Sequence, residues 1–175
     1  MEAETELVYN PHKYQAEIHA NLKRFSVLVC HRRFGKTFLA IATLIDAAIS
    51  TERENLRFAY VAPYQKQAKQ VAWDYLKQFA LPIHGTIANE SETSITFLNG
   101  ARIRLYGSDN GQSMRGLFFD GIVCDEIADF RPETWPEIIR PALTDSYHKG
   151  WCLFIGTPKG LNQFYDLYQY AMKDP

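Results

Sequence analysis

Long apolar runs are missing from this 175-residue chain, and so is any excess of one charge. No stretch reaches the ~20 consecutive apolar residues of a transmembrane helix, which excludes a helical membrane span. With 19 basic and 20 acidic residues the formal net charge is −1. No field of the whole molecule attracts nucleic acid, so any such contact is local or shared between subunits. Cysteine is scarce: Cys30, Cys124 and Cys152 lie in or at the end of apolar runs. They fit no zinc spacing and suit small buried hydrophobes in a reducing compartment. The five histidines show no metal spacing either. The acidic opening "MEAETELVYN" is unlike a signal peptide, and the composition predicts a globular protein working in cytosol. Internal repeats, low-complexity tracts and linkers are also lacking, and the length predicts one domain over 1–175.

What is present alternates between two periodicities. Residues 11–24 look helical, with Pro11 near the start. "FSVLVC" (25–30) is a short buried strand, and "TFLAIATLIDAAIS" (37–50) is apolar nearly all round, as a buried helix is. "LRFAYVAP" (56–63) is a strand stopped by Pro63. In 64–79, Ala68, Val71, Ala72, Tyr75, Leu76 and Phe79 recur at helical spacing. The period then changes: Ile95, Phe97, Ile103 and Leu105 alternate with polar residues around Asn99-Gly100, which predicts a β-hairpin. "FFDGIVCDE" (118–126) is a strand ending in two acids, 131–143 is helical and punctuated by proline, 151–160 is strand and turn, and 161–173 is helical. Strand–helix units broken by one hairpin predict an α/β fold with a mostly parallel sheet flanked by helices. Trp73, Trp135, Trp151 and the tyrosines of "FYDLYQY" fit packing positions.

"CHRRFGKT" (30–37) follows the first strand and opens the buried helix, the context of a phosphate-binding loop of the type G-x-x-x-x-G-K-[ST]. Gly35, Lys36 and Thr37 match the end of that motif, whereas Cys30 replaces its first glycine. Such a loop cradles phosphate in backbone N–H groups at a helix N-terminus. Lys36 would reach the β- and γ-phosphates, and the Thr37 hydroxyl would bind Mg²⁺. The plainer alternative is a basic turn. A second signal decides between them: Asp125 and Glu126 end an apolar strand, and ligands of open α/β sheets bind at the carboxyl edge. Asp125 can hold Mg²⁺ through water, and Glu126 can activate an attacking water. Together the two motifs predict a Mg²⁺-dependent ATPase.

The order of "HRRFGKT", "VAPYQKQAKQVAWDYL" (61–76), "FLNGARIRLYG" (97–107), "SMRG" (113–116), "IVCDE" (122–126) and "GTPKG" (156–160) resembles the ATPase domain of tailed-bacteriophage terminase large subunits. That family has phosphate loops lacking the first glycine. The resemblance implies a P-loop NTPase fold of the RecA/ASCE type with a β-hairpin insertion. It implies ATP hydrolysis that translocates double-stranded DNA into a procapsid in host cytoplasm. The implied partners are the DNA, the portal protein, the small terminase subunit and further copies in a ring. Arg32 matches an arginine that answers the γ-phosphate in cis. His31, Arg33 and Phe34 complete the ATP-binding loop, with Arg33 alternatively facing solvent. Gln15 matches a glutamine that reads adenine; otherwise it is an exposed helical residue. Arg115 matches a finger reaching the neighbouring subunit's ATP, in a loop whose mobility Gly111 and Gly116 supply; otherwise it is a surface arginine. Thr157 matches a coupling residue that follows the strand between the phosphate-loop strand and the Asp-Glu strand, or it caps the next turn. Family members continue into a carboxylate-bearing nuclease domain, so the chain resembles the N-terminal part of a longer protein, without nuclease activity of its own. A helicase-like translocase and a nucleotide-binding assembly module are the alternative readings.

Overall fold

The computed structural model of the protein describes residues 9–144 and 149–173. Strands β1 (Phe25–Val29), β2 (Arg57–Ala62), β3 (Ile87–Asn89), β4 (Ser94–Thr96), β5 (Arg102–Gly107), β6 (Gly121–Asp125) and β7 (Trp151–Gly156) form one sheet. Its order is β1-β7-β6-β2-β5-β4-β3. The first five of these run parallel, and β4 and β3 are added antiparallel. The hairpin around Asn99-Gly100 is present, with Ile95 opposite Ile103. β3 extends it, although three residues of mixed polarity gave no period to find. β6 starts at Gly121, later than the apolar run suggests, because Phe119 is drawn off by an N–H donated to the Ala142 carbonyl.

Helix α1 (Lys13–Asn21) precedes β1, and α2 (Lys36–Ile49) follows it. Buried positions occur on several faces of α2, as its composition predicts: Leu39, Ile41, Leu44 and Ile45 are sealed from solvent. They pack on Phe58, Tyr60, Ile103 and Leu105 of the sheet. Burying each large aliphatic side chain stabilises by about 1.5–3 kcal/mol. The next helix is broken into α3 (Gln65–Ala68), a π turn (Lys69–Trp73) and α4 (Asp74–Ala80). Its buried ridge is Ala68, Ala72, Leu76 and Ala80, every fourth residue. Val71, expected on that face, falls beside the ridge and is exposed.

The opposite sheet face packs Ala59, Val61, Ile122, Cys124 and Phe154 against Phe119, Phe130, Ile139 and Leu143. Here a π turn (Trp135–Ile139) leads into the short α5 (Arg140–Ala142). All three cysteines are free and buried. Trp73 is buried, and Trp135 and Trp151 pack partly covered against the core. The last helix, α6 (Gln163–Lys173), buries Phe164 alone. Tyr165, Tyr168 and Tyr170 are exposed, against the packing role their spacing suggested. The Phe164 face is what meets the sheet, so these tyrosines point to other sides of the helix.

Candidate active site

The parallel strands bring three loops to one edge. β7 lies between β1 and β6, and its register sets Gly156 beside Val29 and Ile155 beside Asp125. The loops after β1, β6 and β7 are therefore neighbours, at the carboxyl edge where open α/β sheets bind ligands.

The loop after β1 keeps its shape without the missing glycine. Cys30 is anchored by its N–H to the Gly156 carbonyl at 3.2 Å. Left-handed backbone falls instead on Arg33 (φ 66°) and Gly35 (φ 84°). Arg33 carries the strain of a side chain in that region, of order 1–2 kcal/mol, and projects into solvent. Gly35 needs its lack of a side chain: a Cβ there would stand 2.7 Å from Gln15 Nε2. Gly35 is also the N-cap of α2 and no side chain caps the helix. The first-turn N–H groups thus lie at the positive end of the helix dipole, which favours an anion. Lys36 folds over its own loop, with Nζ 3.5 Å from the His31 carbonyl. His31 and Arg32 are exposed, and Phe34 is half-buried between the His12 and His31 rings.

The Asp125 carboxylate is buried at the end of β6, and its pKa rises from 3.8 to about 6. Burial is the main cause; the Glu126 charge adds to it, while a hydrogen bond from Tyr60 and the Lys36 charge oppose it. Lys36 is therefore close enough to favour the ionised acid, which joins the first loop to the second. Glu126 adopts a left-handed conformation (φ 54°) that favours glycine, and its N–H is held by the Ile155 carbonyl at 2.9 Å. Its carboxylate accepts a hydrogen bond from Thr157 Oγ1 at 3.3 Å and pairs with Lys159 Nζ at 3.3 Å. Strained backbone on an acid at a sheet edge is a frequent mark of functional sites. Thr157 is thus brought directly onto Glu126.

Arg115 is not joined to this group. It follows a 3₁₀ turn (Ser108–Met114) and pairs with Glu137 at 3.6 Å, both side chains being at least half exposed. Gly111 is not a hinge there. It is buried, and a Cβ would meet Ile138 Cδ1 at 2.8 Å. Close packing against the π turn explains that glycine, whereas Gly116 (φ 75°) does occupy a left-handed turn with open space around it.

Gln15 is buried, not an exposed helical residue. Its Oε1 accepts the His12 N–H at 3.1 Å and its Nε2 donates to the Gly35 carbonyl at 3.3 Å. Three contributors escaped the sequence reading. His12 caps α1 by accepting the Gln15 N–H on Nδ1, which leaves Nε2 protonated to donate to the Phe34 carbonyl at 3.3 Å. Its only sequence signal is the capping-box spacing to Gln15. Lys159 pairs with Glu126 and Asp129, which raises its pKa, the hydrogen bond to Asp129 being the main cause. Tyr60 had no signal at all, as one apolar-looking position in a buried strand.

No group of three or more His, Cys, Asp or Glu side chains able to hold a metal occurs among the described residues. A single hydroxyl and one carboxylate do suit Mg²⁺, which keeps several waters and takes its other ligands from phosphate. The raised Asp125 pKa marks an incompletely compensated buried carboxylate, which a divalent cation would relieve.

The family model for the terminase large subunit, T4likevirus-type, N-terminal, matches residues 29–175. The large terminase subunit of Escherichia phage T5 is 29% identical over 157 residues, covering 86% of this chain and 34% of that protein. The chain spans about a third of the length of the curated relatives it matches. Among solved structures, the large terminase ATPase domain of Thermus phage P74-26 has a TM-score of 0.77 at 26% identity, over 91% of this chain and 70% of that one. A large terminase from a thermophilic bacteriophage in complex with ADP has a TM-score of 0.60 at 17% identity, over 83% of this chain and 38% of that one, a likeness of fold alone. The neighbours share a P-loop ASCE fold.

Proposed function

The chain belongs to the terminase large subunit family, T4likevirus-type, N-terminal, and on that premise we propose that it hydrolyses ATP to drive double-stranded viral DNA into a procapsid. One observation carries the reading: an uncapped helix N-terminus with Lys36 and Thr37 meets Asp125 and Glu126 at one sheet edge. The similarity to the large terminase ATPase domain of Thermus phage P74-26, at 26% identity, supports the choice of ATP.

In this reading the backbone of His31, Arg32, Arg33, Phe34 and Gly35 cradles the phosphates. Lys36 neutralises the β- and γ-phosphates, and Arg32 answers the γ-phosphate in cis. Thr37 and Asp125 hold Mg²⁺, which supplies charge neutralisation on the phosphate oxygens. Glu126 polarises and orients the attacking water. Gln15 reads the adenine: its amide retains one N–H and one lone pair beyond the bonds to Gly35 and His12, a donor–acceptor pair for the base edge. Thr157, already on Glu126, couples the state of the γ-phosphate to movement of the β7 loop.

Arg115 completes the site of a neighbouring subunit. Among the described residues its guanidinium pairs with the exposed Glu137, which releases it at little cost. A trans arginine makes hydrolysis depend on assembly into a homo-oligomeric ring. The portal protein, the small terminase subunit and duplex DNA are the partners of that ring, in the host cytoplasm.

The test is steady-state ATP turnover measured across protein concentration. Turnover per subunit that climbs with concentration and vanishes in Lys36→Ala supports an assembled ATPase. Absence of turnover at any concentration, with nucleotide still bound, overturns it in favour of an assembly module.

A further inference from the structure

Tyr60 lies in the middle of β2 and has no solvent exposure. Its hydroxyl donates a hydrogen bond to Asp125 Oδ2. A buried phenol among Leu39, Ile41 and Leu105 is costly unless its polar end is satisfied, and its partner Asp125 belongs to the site already described.

The direction of this bond follows from hydrogen counting. An ionised carboxylate only accepts, so the single phenolic hydrogen of Tyr60 goes to Asp125. Oδ2 is thereby occupied, so Oδ1 is the oxygen presented to the proposed cation or its water.

We infer that Tyr60 is a positioning residue for the cation site: its buried hydroxyl holds Asp125 Oδ2 and so fixes which carboxylate oxygen faces the cation. The inference rests on the cation site assigned under Proposed function. Tyr60 touches neither nucleotide nor metal. It stands on β2, the strand beside β6, and so holds Asp125 from the neighbouring strand. Outer partners of metal ligands typically change metal affinity by about 10–100-fold.

The test compares ADP affinity in EDTA with ADP affinity in Mg²⁺, for the wild type and Tyr60→Phe, by displacement of a fluorescent nucleotide. The ratio of the two affinities is the metal contribution. Tyr60→Phe is expected to lower that ratio by about tenfold or more, with metal-free ADP affinity and the folded far-ultraviolet spectrum unchanged. An unaltered ratio in a folded variant overturns the inference while leaving the nucleotide site intact. If the wild type itself shows no metal contribution, the cation site is wrong, and this inference is overturned along with it. A second measurement avoids mutation. In wild-type protein labelled with 3-fluorotyrosine, Tyr60 is identified as the ¹⁹F signal least broadened by a soluble paramagnet. That signal should shift when Mg²⁺ is added to the ADP complex, and failure to shift also overturns the inference.

Discussion

Replacing Asp125 by asparagine should stabilise the nucleotide-free protein at neutral and alkaline pH, although it damages the site. Asp125 is buried, and its pKa in the folded chain is about 6 against an ordinary 3.8. The folded state thus holds the proton more tightly than the unfolded one. The sign follows from linkage: the protonated acid suits the fold, and that advantage is lost as pH rises through about 6. At 1.36 kcal/mol per pH unit, the ionised carboxylate costs the fold roughly 3 kcal/mol at pH 8. It costs about 1 kcal/mol at pH 4.5, where only part of the ionisation remains. Asparagine keeps an oxygen to accept the Tyr60 hydrogen bond and has no charge to bury. The expected result, in urea denaturation without nucleotide or divalent cation, is a gain of about 1–3 kcal/mol at pH 8 that shrinks towards pH 4.5. Each kcal/mol raises Tm by roughly 2–4 °C for a domain of this size. A variant no more stable than wild type at pH 8 would refute the account, as would a gain of equal size at both pH values. The same charge is what a bound cation would offset, so added Mg²⁺ and ADP should close much of the gap.

Other predictions bear on turnover. Glu126→Gln should retain ATP binding and lose turnover by about a hundredfold or more, the usual range for a general base, which single-turnover kinetics will read. Lys36→Ala should lose nucleotide binding itself, since phosphate charge would be left unpaired in a partly buried loop; titration calorimetry with ADP checks this. Arg115→Ala should bind ATP normally and turn over poorly when assembled, an arginine finger being worth about 10³–10⁵ in rate. Mixing it with Glu126→Gln should partly restore activity at interfaces that pair an intact Arg115 with an intact Glu126, and no recovery in mixed rings would count against the trans role.

The two ends of the site were legible in the sequence because each sits in a continuous motif. A strand, a short loop ending Gly35-Lys36-Thr37 and an apolar helix can be read in order, and so can an apolar strand ending in Asp125 and Glu126. The alternation around Asn99-Gly100 identified the hairpin for the same reason: its partners are close in the chain. Arg115 and Gln15 were found through resemblance, and their surroundings were not. For Gln15 the fold removes the exposed alternative by setting it against Gly35, a contact between residues far apart in sequence. Gly111 looked like a hinge until Ile138 was seen to occupy the space a side chain would need. Tyr165, Tyr168 and Tyr170 had helical spacing, yet spacing alone does not say which face meets the sheet.

By itself the sequence determined that a strand, a loop ending Gly35-Lys36-Thr37 and a strand ending in Asp125 and Glu126 belong to a mostly parallel α/β fold, since local motifs and periodicity record those things directly. Only the tertiary structure decided that Glu126 is strained and tied to Thr157 and Lys159, and that Tyr60 holds Asp125. Those are contacts across parallel strands, whose connections pass over the sheet. The residues that meet there share no spacing in the chain, and it is the register of the strands that brings them together.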